Sequence, residues 1–390
     1  QAIRAFYMTE GKVKPRFAGE QQITTAILTL TSEKKQRVVF IRPGGPALTN
    51  PGFPPFVPGG PLSRVADQLR DYNFEVLEKD LSGQWAMQSQ MRGMPADPDA
   101  TDEQMKDAVW VVLNIPQQRN QMMPPPSTGV AEKLAEHLKN GGSAMVLSLP
   151  QAENLAAALA DWGVELKIDA MVVHERASIS GARTGDMIEQ AQQVPFIFVI
   201  KDYGKHLLTT PLRSLESILF PILPVSITPK EGYTATPLIP IPQDRKVWAT
   251  RRVDEEALSG QPIEPDPKTD IAPPLFGGAA VEKNGSGRLV VLGSLQFIQN
   301  EIVRLPDPEL LKERVRVARF PGNAELFANS IFWLAKTDTL IAISPSAMEV
   351  SRIEQMSDKA LNFWHYGFLM GILPACVLVA GFIVYLKRRD

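Results

Sequence analysis

Cysteine is almost absent from these 390 residues, and the only one, Cys376, lies inside an apolar run near the C-terminus. That excludes an intramolecular disulfide, a thiolate metal site and an exposed cysteine nucleophile. Histidine is nearly as scarce: His137, His174, His206 and His365 are too dispersed to suggest a metal cage. Neither sign of charge is in excess. The formal net charge of −2 gives no electrostatic reason to expect nucleic acid as a partner. Three chemical signatures are also missing. Without a Gly-x-x-x-x-Gly-Lys-Ser/Thr element there is no cradle for nucleotide phosphates, so ATP hydrolysis by this chain is not expected. Neither a Gly-x-Gly-x-x-Gly turn nor a Gly-x-Ser-x-Gly elbow occurs.

Few side chains are left as candidates for chemistry, and no cofactor is implied. His174-Glu175 has no second histidine four positions on, so the zinc-protease pattern fails and an ordinary strand-end pair is the alternative reading. His206, ahead of Leu207-Leu208-Thr209-Thr210-Pro211, is either a loop site residue or a structural histidine. These three are the weak candidates for a crevice.

Apolar residues are plentiful, at 44% against 22% charged, enough to bury a large core. The most informative stretch is 363–386, which carries no acidic residue, Lys or Arg and is closed by Lys387, Arg388 and Arg389. As a helix it would reach about 36 Å, sufficient to cross a bilayer. Trp364 and Tyr366 at one end and Tyr385 at the other stand where an interfacial belt forms. The basic cluster places the C-terminus in the cytoplasm and the preceding chain on the far side of an inner, cytoplasmic membrane. Gly367 and Gly371 give a spacing that lets another helix approach, and Pro374 predicts a kink, so the anchor is expected to pack against other membrane helices. Exporting the bulk of the chain would need a signal or an earlier membrane helix, and none is visible here.

The 33 prolines are clustered in loops between regular segments. Ile23, Ile27 and Leu30 predict an amphipathic helix over 19–31. Strands are expected at 37–41, 74–77, 109–113, 144–147 and near 164–173, and again at 194–200. Helices are expected over 62–72, after Thr128 as cap, and through Leu155, Leu159 and Trp162 to Gly163. The residues 95–107 read as an acidic connector or short helix start. A hairpin spans 271–292 around Asn284-Gly285-Ser286-Gly287, Asn323 caps a further helix, and 340–343 reads as a last short strand. Strand–helix alternation predicts an open, mostly parallel sheet wrapped on both faces. Its ligand crevice would lie at the strand ends, beside the proline-rich loops 43–61 and 116–126. The expected organisation is an N-terminal stem with its helix (1–35), an α/β domain (36–345), a juxtamembrane stalk (346–362), a transmembrane helix (363–386) and a cytoplasmic basic tail (387–390).

Five ordered stretches resemble one family. They are Gly19–Ile27, Gly141–Leu147, His206–Leu212, Gly285–Ser294 and Gly322–Ala335, followed by the C-terminal apolar run. In these the chain is similar to the GldG-like auxiliary subunits of gliding-motility-type ABC transport systems. The resemblance implies a flavodoxin-like extracytoplasmic domain, related to ThuA-like and class I glutamine amidotransferase-like sheets. It also implies partners: a membrane permease, a separate cytoplasmic ATPase, the lipid bilayer, and an extracytoplasmic cargo or a second copy. Relatives usually carry a membrane helix before the domain. Where the amidotransferases place a nucleophilic cysteine, this chain has Leu147-Ser148-Leu149-Pro150, and Leu295-Gln296 stands where relatives often have an acid. Both departures argue against inherited catalysis. The expectation is a non-catalytic transporter subunit; the alternative is a membrane-tethered hydrolase or carbohydrate-binding domain.

Overall fold

The computed structural model describes residues 35–52, 59–83, 99–116, 129–175, 194–243, 246–253, 263–308 and 317–342. It also describes the backbones of strands at 4–9 and 12–17 and isolated helical positions 87, 90, 91, 311, 374 and 375. The chain divides into two compact units, Gln1–Met348 and Glu349–Asp390. The first opens on an antiparallel hairpin, β1 (Arg4–Thr9) and β2 (Lys12–Phe17), in the region expected to be a stem. The amphipathic helix expected over 19–31 lies outside the described residues.

Next come β3 (Arg37–Arg42), α1 (Ser63–Asp71), β4 (Glu75–Asp80), α2 (Asp102–Lys106), β5 (Val109–Asn114), α3 (Val130–Lys139), β6 (Ala144–Ser148) and α4 (Ala156–Leu159). Seven short strands follow: β7 (Val164–Leu166), β8 (Met171–His174), β9 (Phe198–Ile200), β10 (Ser217–Leu219), β11 (Val225–Ile227), β12 (Tyr233–Pro237) and β13 (Val247–Thr250). The unit closes with β14 (Gly278–Lys283), β15 (Arg288–Leu292), α5 (Asn300–Val303), α6 (Gly322–Leu334) and α7 (Asp338–Ala342).

Seven strands make the central sheet, in the order β12-β14-β15-β6-β5-β3-β4. From β15 to β4 every pairing is parallel, whereas β14 and β12 join as antiparallel additions at one edge. Numbered among themselves, the five parallel strands run 2-1-3-4-5. The order therefore reverses between β3 and β5, where the connections leave to opposite faces. Strand alternation shows this directly. Val38, Phe40, Val111, Leu113, Met145 and Leu147 pack with α1 and α6, while Val39, Ile41, Trp110, Val112 and Val146 pack with α3 and α4. Burial on both faces is why these strands read as continuous apolar runs.

Helix α6 is buried nearly all round, because a further layer lies on it. Leu208, Leu212, Leu215 and Leu219 join its core cluster, and Asn329 Nδ2 donates to Leu208 O at 3.3 Å. Such a helix needs apolar residues on every side, which blurs the helical stripe that sequence reading depends on.

Several expected elements are corrected. The stretch 340–343 is not a strand: Leu340 and Ile341 lie in α7, after Lys336 turns the chain at φ 58° and Arg288 holds Asp338. Four apolar residues carry too little periodicity to separate the two forms. Asn323 does not cap α6 but sits inside its first turn, bonded sideways to β10. Gly129, with φ 63°, occupies the cap position of α3; Thr128 lies outside the described residues. The stretch 164–173 is two strands, β7 and β8, and neither joins the central sheet; they pair with β11 and β13. Of 194–200 only Phe198–Ile200 is strand. The strand expected at 74–77 runs on to Asp80.

Among the described residues no helix is long and apolar enough to cross a membrane. The run 363–386 lies outside them except Pro374 and Ala375, which are helical and exposed. Trp364, Tyr366, Gly367, Gly371, Tyr385, Lys387, Arg388 and Arg389 also lie outside.

Candidate functional site at the carboxyl ends of the parallel strands

In a sheet whose order reverses, ligands enter at the carboxyl ends of the strands flanking the reversal. Here that edge begins with Arg42, the last residue of β3, whose side chain is 2% exposed. Its Nε donates to Glu78 Oε2 at 3.1 Å and it also bonds the Gly45 carbonyl. Asp80 and Asp99 carboxylates stand 3.9 and 3.8 Å from its terminal nitrogens. Alternation along β4 puts Glu78 and Asp80 on the same side, and that is why the strand tolerates three consecutive charged residues.

Glu78 does more than balance charge. It accepts from Leu48 N at 3.0 Å, from Thr49 N at 2.6 Å and from Thr49 Oγ1 at 2.5 Å. The proline-rich loop after β3 is thereby sewn to the neighbouring strand. Asp80 accepts from Ser82 N and Oγ at 2.9 and 2.7 Å, and Asp80 N donates to Asp99 Oδ1 at 3.1 Å. One guanidinium and three carboxylates form a knot over the ends of β3 and β4.

The amino end of α1 is the natural place for an anion in such a fold, because its first N–H groups have no partner within the helix. Asn300, at the start of α5, fills it. Its Oδ1 accepts from Arg64 N at 2.9 Å, and its Nδ2 donates to Gly60 O and to Ser63 Oγ at 2.9 and 3.0 Å. Gly60 itself is pressed against the Leu48 carbonyl, where a Cβ would collide.

The ends of β5 and β6 are closed in the same way. Asn114 Nδ2 donates to Ser148 Oγ at 3.1 Å and to Glu153 O at 2.9 Å, and Leu149 N returns to Asn114 O at 3.0 Å. Ser148, in the position the resemblance gives to a nucleophile, is fully buried and donates to the Leu149 carbonyl at 3.3 Å. Among the described residues, the hydrogen bonds of its hydroxyl are to Asn114 Nδ2 and the Leu149 carbonyl, neither of which is a base. After β15, Ser294 Oγ donates to Phe220 O at 3.3 Å, and Gly293 abuts Leu223 too closely for a side chain.

The residues singled out from the sequence lie elsewhere: His174 and Glu175 adjoin at the end of β8, and His206 lies against α6. His174 ends β8 with Nδ1 3.0 Å from Glu175 O, Nε2 3.2 Å from Ile197 O, and its ring edge-on to Phe198. Glu175 N donates to Lys246 O at 2.9 Å. His206 opens the turn before α6's outer layer: Nδ1 accepts from Leu208 N at 3.3 Å, and the ring stands edge-on to Trp333. Trp333 in turn lies under Arg288, the first residue of β15, so His206 belongs to the opposite edge of the sheet. Burial lowers the His206 pKa, with Arg288 adding to the effect and Glu282 and Asp338 opposing it. The three candidates are therefore not brought together as an acid–base set. Among the described residues no group of His, Cys, Asp or Glu could hold a metal ion.

Sequence reading missed Arg42, Asn300 and Asn114. Only Arg42 carried a signal: a cation closing an apolar strand, facing two acids two residues apart on the next. Asn300 and Asn114 act across 236 and 34 residues of chain, and no local pattern reports that.

No family model matches the chain, and no curated protein matches it. Among solved structures, the mmIFT52 N-terminal domain aligns over 71% of this chain and 97% of its own, at 11% identity and a TM-score of 0.36. That likeness is too loose to bear on function.

Proposed function

We propose that this chain is a non-catalytic auxiliary subunit of an ABC-type transport system, similar to the GldG-like subunits. Its α/β domain is flavodoxin-like and extracytoplasmic, presenting a surface to cargo or a partner protein. Its C-terminal run, 363–386, is a transmembrane anchor packed through Gly367 and Gly371 against a permease that a separate cytoplasmic ATPase drives. The observation that carries the non-catalytic part is the closed strand-end edge. Arg42, Asn300, Asn114 and Ser148 bond to the protein's own groups there, leaving no converged acid, base and nucleophile among the described residues. The 2-1-3-4-5 order of the parallel strands supports the flavodoxin-like assignment.

Membrane extraction in mild detergent followed by affinity purification tests the reading. Recovery with a permease and an ATPase is the expected result, and recovery of the anchored protein alone overturns it. Protease accessibility placing Asp390 and the α/β domain on one side of the membrane would also overturn it.

A further inference from the structure

Asparagine followed by glycine occurs twice in the chain, at Asn140-Gly141 and Asn284-Gly285. Both pairs lie in turns. The first ends α3 and the second joins β14 to β15. The two turns also pack on each other: a Cβ on Gly287 would collide with the Gly142 carbonyl, and one on Gly141 would stand 3.1 Å from Ser286 Oγ. Asn140 and Asn284 are both exposed. What distinguishes them is the next backbone nitrogen. Because glycine has no side chain to obstruct it, that nitrogen can reach the asparagine Cγ and close a five-membered imide ring. It does so only where its N–H is not held by another group.

After Asn140 it is held. Gly141 N donates to Leu138 O at 3.2 Å, and Gly142 N donates to His137 O at 3.0 Å, so the end of α3 fixes both glycines. After Asn284 it is not. Asn284 and Gly285 are the two central residues of a β-turn that Ser286 N closes by donating to Lys283 O at 3.0 Å. The base of the turn is anchored, with Asn284 N on Gly232 O and Lys283 N on Gly287 O, each at 3.1 Å. Its tip is open. Gly285 has φ 73° and no atom within 4 Å of where a Cβ would stand. Among the described residues neither the Gly285 N–H nor the Asn284 side chain has a hydrogen-bond partner.

We propose that Asn284 is a site of spontaneous covalent modification, converted by its own backbone to aspartate and isoaspartate. The Gly285 nitrogen gives up its proton and attacks Asn284 Cγ. As that N–C bond forms, the bond from Cγ to Nδ2 breaks, and the side-chain nitrogen leaves as ammonia, taking up the proton. Solvent water then opens the cyclic imide at either carbonyl. Opening at the side-chain carbonyl gives aspartate. Opening at the backbone carbonyl gives isoaspartate, which routes the chain through the side chain and adds a methylene to the turn. Either product places a new carboxylate next to Lys283 in the hairpin. Nothing is oxidised or reduced, and water is the only co-reactant.

The test incubates the full chain at mildly alkaline pH in water enriched in heavy oxygen and follows both asparagines by peptide mass spectrometry. Each conversion is marked by loss of ammonia and gain of one heavy oxygen atom. Asn140 is the internal control. Attack there must first break the Gly141 hydrogen bond, so Asn284 should convert at least about fivefold faster in the folded chain, the factor an ordinary net hydrogen bond supplies. In concentrated urea, where both turns are lost, the two rates should converge. Equal rates in the folded chain, or faster conversion of Asn140, overturn the proposal. A preference for Asn284 that persists unchanged in urea also overturns it, because the preference then belongs to the neighbouring residues and not to the turn.

Discussion

Replacing Arg42 by methionine keeps most of its apolar stem and removes the cation that, among the described residues, faces the carboxylates of the strand-end knot. Glu78 is 7% exposed at its side chain, so its carboxylate would be left in a poorly solvated place without the guanidinium that faces it. Removing one partner of a buried ion pair typically costs about 3–5 kcal/mol. That is a large part of the roughly 5–15 kcal/mol that holds a domain folded. At a denaturant slope near 3 kcal/mol per molar, the urea midpoint should fall by about 1–2 M. The measurement is a urea titration of the full-length protein in mild detergent, followed by tryptophan fluorescence. A second variant sharpens it. In the double change Arg42→Met, Glu78→Gln the Glu78 charge that the first change strands is gone, so the loss should be smaller than the sum of the two single losses. It should not vanish, because Glu78 also accepts from Leu48 N and Thr49 N, and a glutamine amide can satisfy only one of them well. An Arg42→Met cost below about 1 kcal/mol, the range of exposed pairs, or strict additivity of the two changes, would refute the buried knot.

Three further outcomes follow from the same geometry. His137 lies stacked on Trp110 at 4.1 Å with Nε2 3.1 Å from Ser143 O, and burial lowers its pKa to about 4. The unfolded chain then binds the extra proton between about pH 6.5 and 4. Stability is full above that window and falls through it by up to about 1.4 kcal/mol per pH unit; a pH series of urea midpoints should show this slope flattened in His137→Gln. Asn323→Ala strands Ile218 N and Phe297 O, which its side chain meets at 2.9 Å each, so a loss of about 2–3 kcal/mol is expected by the same titration. Gly204→Ala would drive a methyl into the backbone carbonyl of Pro237, and thermal unfolding should report a loss of about 3 kcal/mol.

The first half of the fold was legible because its strands are buried on both faces and its helices on one. β3, β5 and β6 announced themselves as apolar runs between turn residues, and α1 and α3 kept a clear stripe with Leu69 and Leu134 inward. The second half hid for physical reasons. Strands such as β7 and β8 are three and four residues long, pair outside the central sheet, and are shorter than the windows in which alternation becomes visible. β4 was read short because charge usually ends a buried strand; Glu78 and Asp80 stay inside because Arg42 meets them. Asn323 looked like a cap because asparagine before an apolar helix usually is one. In the folded chain Ile218 N and O claim its side chain from 105 residues away.

A doubly wound sheet makes a crevice by topology alone, since connections that diverge from β3 and β5 must leave a gap between them. Whether that gap serves chemistry depends on the side chains below it. Here they reach sideways and not upward: Glu78 to the loop after β3, Asn300 to α1, Asn114 to the segment after β6. Each of these bonds ties a loop or helix end to a side chain at the strand ends, so the described part of the rim is held by the sheet itself. The same groups give the described part of the proline-rich loop after β3 a fixed base. A fixed base is what a surface needs if recognition is its role, because contacts offered in one geometry lose less conformational entropy on binding.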